Sequence, residues 1–98
     1  MSNLTESKQD YQERIQAQFD RLSEQIAELK AKGEELKADA KVEYNAKMAE
    51  LYVKREETEI KLRELQGSSD EAWTEIQQGF EKAWNELNLA WNKAVSKF

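Results

Sequence analysis

Ninety-eight residues are enough for one domain with a modest core, and we expect a single helical domain over residues 1–98. No proline, three glycines and 36% charged residues are typical of long helices, while the absence of cysteine and histidine excludes thiolate chemistry, histidine bases and the usual transition-metal ligands. A net charge of −5 with no basic cluster disfavours nucleic acid as a partner.

The N-terminal segment has neither the basic region nor the apolar region of a secretory signal. The longest apolar run is Leu51-Tyr52-Val53, which is far too short to span a membrane. We therefore expect a cytoplasmic protein.

One amphipathic register can be followed from about residue 4 to residue 66, in steps of three and four residues. It predicts a single long helix over 4–66, and exposed Glu and Lys side chains four residues apart support this helix. Its N-terminal half presents an apolar face made of Tyr11, Ile15, Phe19, Leu22, Ile26 and Leu29.

Gly33 lies within this register and is the one position where the long helix could end. Lysines precede the glycine and glutamates follow it, which is the charge order of one helix end followed by a helix start. The alternative is therefore a three-helix, spectrin-like bundle with a turn at Gly33. We favour the continuous helix, because no N-cap residue follows Gly33 and a lone glycine costs a helix only about 1 kcal/mol.

A turn is predicted over residues 67–69. Gly67 suits the left-handed position after a helix end, and Ser68 and Glu71 have the spacing of a capping box. A second helix over 70–97 should follow.

The second helix contains an eleven-residue repeat and all three tryptophans of the chain. At about 100° per residue, its large apolar side chains form one seam. We expect this tryptophan seam to be a core or interface, and its members are Trp73, Ile76, Phe80, Trp84, Leu87, Trp91, Val95 and Phe98.

A helix over 70–97 folded back at Gly67 would cover only residues from about 38 to 66 of the long helix. The apolar face of the N-terminal half would then need a second chain. The predicted fold is therefore all-α, an antiparallel helical hairpin that dimerises into a helical bundle.

The segments LKAKGEELKADAKVEYNAKMAEL and EAWTEIQQGFEKAWNEL resemble bacterial coiled-coil proteins described as apolipoprotein-like. The resemblance implies a helical fold and binding to lipid or protein surfaces, and it supplies no catalytic residue.

No sequence motif indicates a catalytic or ligand-binding site. Adjacent glutamates such as Glu56 and Glu57 point about 100° apart on a helix, and phosphate-loop, calcium-loop and nucleophile motifs are missing from the sequence. We expect a non-enzymatic protein without catalytic residues, cofactor or metal. The predicted function is oligomerisation or interaction, as a scaffold or adaptor that binds itself as a homodimer and possibly another protein. The alternative is a protein that binds lipid surfaces through the tryptophan seam.

Overall fold

The chain folds into three α-helices, seen in a computed structural model that describes residues 7–97. Helix α1 spans Lys8–Gly33, α2 spans Ala38–Gln66 and α3 spans Trp73–Lys97. Within residues 7–97 there is no β-strand. The all-α prediction is confirmed, while the helix start predicted near residue 4 and the seam residue Phe98 lie outside the described residues.

The predicted continuous helix over 4–66 is wrong, because α1 ends at Gly33 and α2 begins only at Ala38. The amides of Glu34 and Glu35 close the last turn of α1 by hydrogen bonds to the carbonyls of Ala31 and Lys32. Residues 34–37 form a connector of ordinary length. The alternative turn after Gly33 is the correct one.

Helix α2 begins without a capping side chain, so the absence of an N-cap residue after Gly33 did not indicate a continuous helix. Lys37 occupies the N-cap position in an extended conformation and its side chain makes no capping hydrogen bond. A cap contributes about 1 kcal/mol, whereas most helical stability in proteins comes from tertiary packing of an apolar face. The buried face of α2 therefore sets the start of this helix without a cap.

The second turn differs in detail from its prediction. Gly67 has φ −97°, which is not left-handed, and α3 begins at Trp73 instead of residue 70. The capping hydroxyl is that of Ser69 and not that of Ser68: it accepts a hydrogen bond from the backbone amide of Ala72 at 3.3 Å. Residues 70–72 form a turn that joins this cap to the helix.

Side-chain contacts show the direction of each helix. Tyr44 and Arg55 of α2 reach Leu29 and Ser23 of α1, so these two helices are antiparallel. Helices α2 and α3 are also antiparallel, because ion pairs join Glu43 to Lys97 and Lys54 to Glu86. Consequently α1 and α3 run parallel in a bundle with extents of 53 × 21 × 17 Å.

The core lies along the common axis of the three helices. At the three- and four-residue steps of the predicted register, side chains from Tyr11 to Leu65 are buried, except that Leu36 and Arg55 are partly buried and Ala40 is exposed. All six apolar residues predicted on the N-terminal half are buried within this chain, namely Tyr11, Ile15, Phe19, Leu22, Ile26 and Leu29. The face that was predicted to need a second chain is therefore covered by α2 and α3 of the same chain, and its burial does not require a homodimer.

Candidate interaction surfaces

The tryptophan seam is divided between the core and its margin. Phe80 and Leu87 are fully buried, and the three tryptophans and Ile76 are partly buried against them. The rings of Phe80 and Trp84 are stacked, with centroids 6.1 Å apart. Val95 is 40% exposed and does not belong to the core of this chain. The inward face at this end of α3 is occupied by Ala90 and Ala94 instead.

The start of the seam is fixed by polar contacts between α1 and α3. The hydroxyl of Tyr11 donates to the carboxylate of Glu81 at 2.9 Å, and its ring meets Trp73 edge to face. Burial, followed by the hydrogen bond to Glu81, raises the pKa of Tyr11 to about 12. Lys8 lies over the Trp73 ring and donates to Asp70 at 2.6 Å. These contacts tie the first turn of α1 to the segment that leads into α3.

An open groove of about 420 Å³ runs between the parallel helices α1 and α3. Trp84 and Trp91 line it together with Leu22 and with polar side chains, namely Gln18, Arg21, Gln25, Asn85 and Asn88. The Asn88 amide donates to the carbonyl oxygen of Trp84, within the same helix. Trp84 and Trp91 also pack against the buried core, so the groove is lined largely by the outward-facing edges of core side chains.

A different apolar surface lies on the outside of α2. Val42, Val53 and Ile60 are 73%, 55% and 49% exposed, respectively. At about 100° per residue, these three side chains lie within about 20° of one another, and Leu51 of the core lies on the opposite side of the helix. Helix α2 thus has a buried apolar face and a second, solvent-exposed one.

The exposed face follows a heptad pattern. Its steps alternate four and three residues, which is the spacing of the contact positions of a coiled coil. We call this surface the outer α2 seam, and its positions are Val42, Ala46, Ala49, Val53, Glu56 and Ile60. All six are exposed.

One edge of the outer α2 seam is a row of four glutamates at seven-residue intervals: Glu43, Glu50, Glu57 and Glu64. Three of them form an ion pair with a lysine. Lys97 lies 2.6 Å from Glu43, Lys54 lies 3.8 Å from Glu57, and Lys61 lies 3.6 Å from Glu64. The hydrogen bond and the charge of Lys97 hold the pKa of Glu43 below its usual value. Even so, the side chains of these three glutamates are about half exposed.

The opposite edge carries no lysine or arginine at its three heptad positions, Asn45, Tyr52 and Glu59. Arg55 and Arg63 both form ion pairs with Glu59. Lys30 of α1 lies over the Tyr52 ring, 5.7 Å from its centroid.

A single register followed through residues 38–66 does not reveal the outer α2 seam. The signal was present as a second apolar stripe on the same helix, half a turn away from the first. The positions of Val42, Val53 and Ile60 would have predicted it.

Among residues 7–97, acidic side chains do not form a cluster suited to a metal ion. No helix in this range combines the length and apolar character needed to cross a membrane. Comparison of the chain with protein-family models, curated proteins and solved structures found no match.

Proposed function

We propose that this protein is a non-catalytic helical interaction module that binds another helix along the outer α2 seam. The observation that carries the proposal is the exposed apolar stripe of Val42, Val53 and Ile60 on a helix whose other face already belongs to the core. Such a stripe has no role in stabilising the bundle. It has the spacing of a coiled-coil contact and would bury its apolar side chains against a partner helix.

The small residues of the seam support this geometry. Ala46 and Ala49 lie between the larger side chains of Val42 and Val53 and leave room for a partner's side chains. Knobs of one helix insert into holes formed by four residues of the other, so alternating small and large positions allow two helices to approach closely.

Lipid binding through the tryptophan seam is less well supported. The three tryptophans pack against the core between α1 and α3, and laying them on a membrane would require the bundle to open. The outer α2 seam is a poor substitute, because its glutamate row would be repelled by anionic lipid.

The proposal can be tested with a synthetic helical probe. The probe is a fluorescently labelled four-heptad peptide with Ile and Leu at the contact positions and Gln at both edges. It is used at concentrations where the peptide alone is monomeric. We expect the full chain to raise the anisotropy of the probe saturably, and the double variant Val53→Glu/Ile60→Glu to lose this binding.

Leu89→Glu is the matched control, because Leu89 is 59% exposed on α3 and lies outside the seam. Glutamate is a good helix former, so these exposed substitutions should leave the circular dichroism spectrum unchanged. The proposal is rejected if the probe does not bind, or if it binds the double variant as well as it binds the wild type.

A further inference from the structure

We infer that the helix bound by the outer α2 seam belongs to a different protein and carries lysine or arginine along its edges. This inference rests on the proposed function, since it concerns the partner of the same surface. It is drawn from the charges that surround the exposed apolar stripe.

Carboxylates dominate the positions that a partner helix would contact. Across the contact and edge positions from 42 to 64, six residues are acidic and one is basic. The acidic ones are Glu43, Glu50, Glu56, Glu57, Glu59 and Glu64, and the basic one is Arg63. Edge charges of a coiled coil determine which partner is accepted, and like charges across the interface are unfavourable.

The lysines beside the glutamate row moderate this charge without reversing it. Lys54 and Lys61 lie on the flank toward α3, behind the glutamates as seen from the seam, and Lys54 is also bonded to Glu86. Lys97 reaches Glu43 from the end of α3. The glutamates stay about half exposed on the side where a partner would lie.

A second copy of this chain does not complement the seam in either orientation. Antiparallel pairing of two α2 helices places the glutamate row of one copy against that of the other. Parallel pairing places the same row against Asn45, Tyr52 and Glu59, none of which is cationic. The cations beside this edge are already engaged within the chain, Arg55 and Arg63 with Glu59 and Lys30 over the Tyr52 ring. A basic-edged helix supplies ion pairs in both orientations if it carries cations on both edges.

Exposed ion pairs are individually weak, so the apolar stripe provides most of the affinity and the edges provide selectivity. Four such pairs together correspond to roughly a tenfold preference for a basic edge over a neutral one, or about 1.4 kcal/mol. The preference should diminish at high ionic strength, because exposed charges are screened.

Three probes of identical contact residues test the inference on the full chain, with Lys, Gln or Glu at every edge position. We expect the Lys probe to bind about tenfold more tightly than the Gln probe, and the Glu probe to bind most weakly. In 1 M salt the three affinities should converge.

The variant Glu50→Gln/Glu57→Gln removes two of the four glutamates of the row and should reduce the preference for the Lys probe from about tenfold to about threefold. The control variant Glu24→Gln/Glu75→Gln, which changes the net charge equally at exposed positions of α1 and α3, should keep it. If all three probes bind equally, the inference is wrong and the proposed function stands. If none binds, the proposed function fails as well. If the chain itself dimerises and Val53→Glu abolishes the dimer, the seam is occupied by a second copy and the inference is overturned.

Discussion

The ring of Tyr44 lies directly against the backbone of Gly33. A Cβ atom added at Gly33 would be 1.8 Å from Cζ of Tyr44, and no real contact is this short. The Tyr44 hydroxyl donates to the carbonyl oxygen of Leu29 at 2.8 Å and the residue is 4% exposed. The glycine is required by this close approach between α1 and α2 and not by an unusual backbone conformation, since no described glycine has positive φ.

We predict that Gly33→Ala destabilises the protein. The added methyl group must displace the Tyr44 ring and so disturb its hydrogen bond to Leu29, and overpacking of this kind costs about 1 to 3 kcal/mol. The free energy of unfolding from urea denaturation, followed by circular dichroism, measures the effect.

Gly79→Ala is the control, because Gly79 lies within α3 and a Cβ atom there meets nothing within 4 Å. Alanine is about 1 kcal/mol more favourable than glycine inside a helix, so this variant should be the more stable one. Equal effects of the two substitutions would contradict the packing assigned to Tyr44.

The same contact shows how far the sequence could predict the fold. The periodicity identified the buried positions of the first two helices, because a helix that packs on one core must repeat its apolar residues about every 3.6 positions. It could not show the turn after Gly33. The register stays in phase on both sides of the connector, and the contact that favours the turn joins Gly33 to Tyr44, eleven residues away.

Burial along α3 was predicted less well. The apolar pattern groups Val95 with Phe80 and Leu87, although the structure leaves Val95 exposed and buries Ala94. Which flank of a wide stripe faces inward depends on the positions of the neighbouring helices, and the sequence of α3 alone does not contain that information.

We predict that Phe80→Ala costs more stability than Trp84→Ala, although tryptophan is the larger side chain. Phe80 is fully buried, so its removal leaves a cavity and should cost about 3 to 5 kcal/mol. Trp84 is partly exposed to the groove between α1 and α3, so Trp84→Ala should lower the free energy of unfolding by only about 1 to 3 kcal/mol. Urea denaturation of both variants decides the order, and a larger loss for Trp84→Ala would place the Trp84 ring deeper in the core than the structure does.

Alkaline pH should weaken the contact between α1 and α3. The folded protein raises the pKa of Tyr11 from 10.0 to about 12, so the protonated phenol is favoured by folding. This contribution is complete below pH 10 and is lost as the pH rises through 12, because the unfolded chain then loses its proton first. The stability difference between wild type and Tyr11→Phe should therefore shrink between pH 9 and pH 11.5.

Urea denaturation of the two proteins across this range measures the change, and other alkaline titrations cancel in the comparison. Tyr52→Phe is the control, because Tyr52 is 37% exposed and its ring lies at the bundle surface. A difference between wild type and Tyr11→Phe that does not vary with pH would contradict the burial of the Tyr11 hydroxyl and its hydrogen bond to Glu81.

Lipid vesicles should leave the tryptophan fluorescence unchanged. Trp73, Trp84 and Trp91 already pack against the core, and the acidic surface of α2 disfavours anionic membranes. Emission spectra recorded with vesicles of anionic and of zwitterionic lipid test this expectation. A blue shift on adding either vesicle would support the lipid-surface function instead, with a bundle that opens to expose the tryptophan seam.

In the absence of a partner we expect a monomer. The core residues of α1 are covered by α2 and α3. Two outer α2 seams would bring glutamates together in the antiparallel orientation, and in the parallel one they would face an edge whose neighbouring cations are already engaged within the chain. Light scattering on a sizing column, over a concentration series, should give a mass near 11.5 kDa throughout. Twice that mass would show the predicted homodimer, and Val53→Glu would then locate its interface. A dimer that dissociates in this variant uses the outer α2 seam, whereas one that persists uses a different face of the bundle.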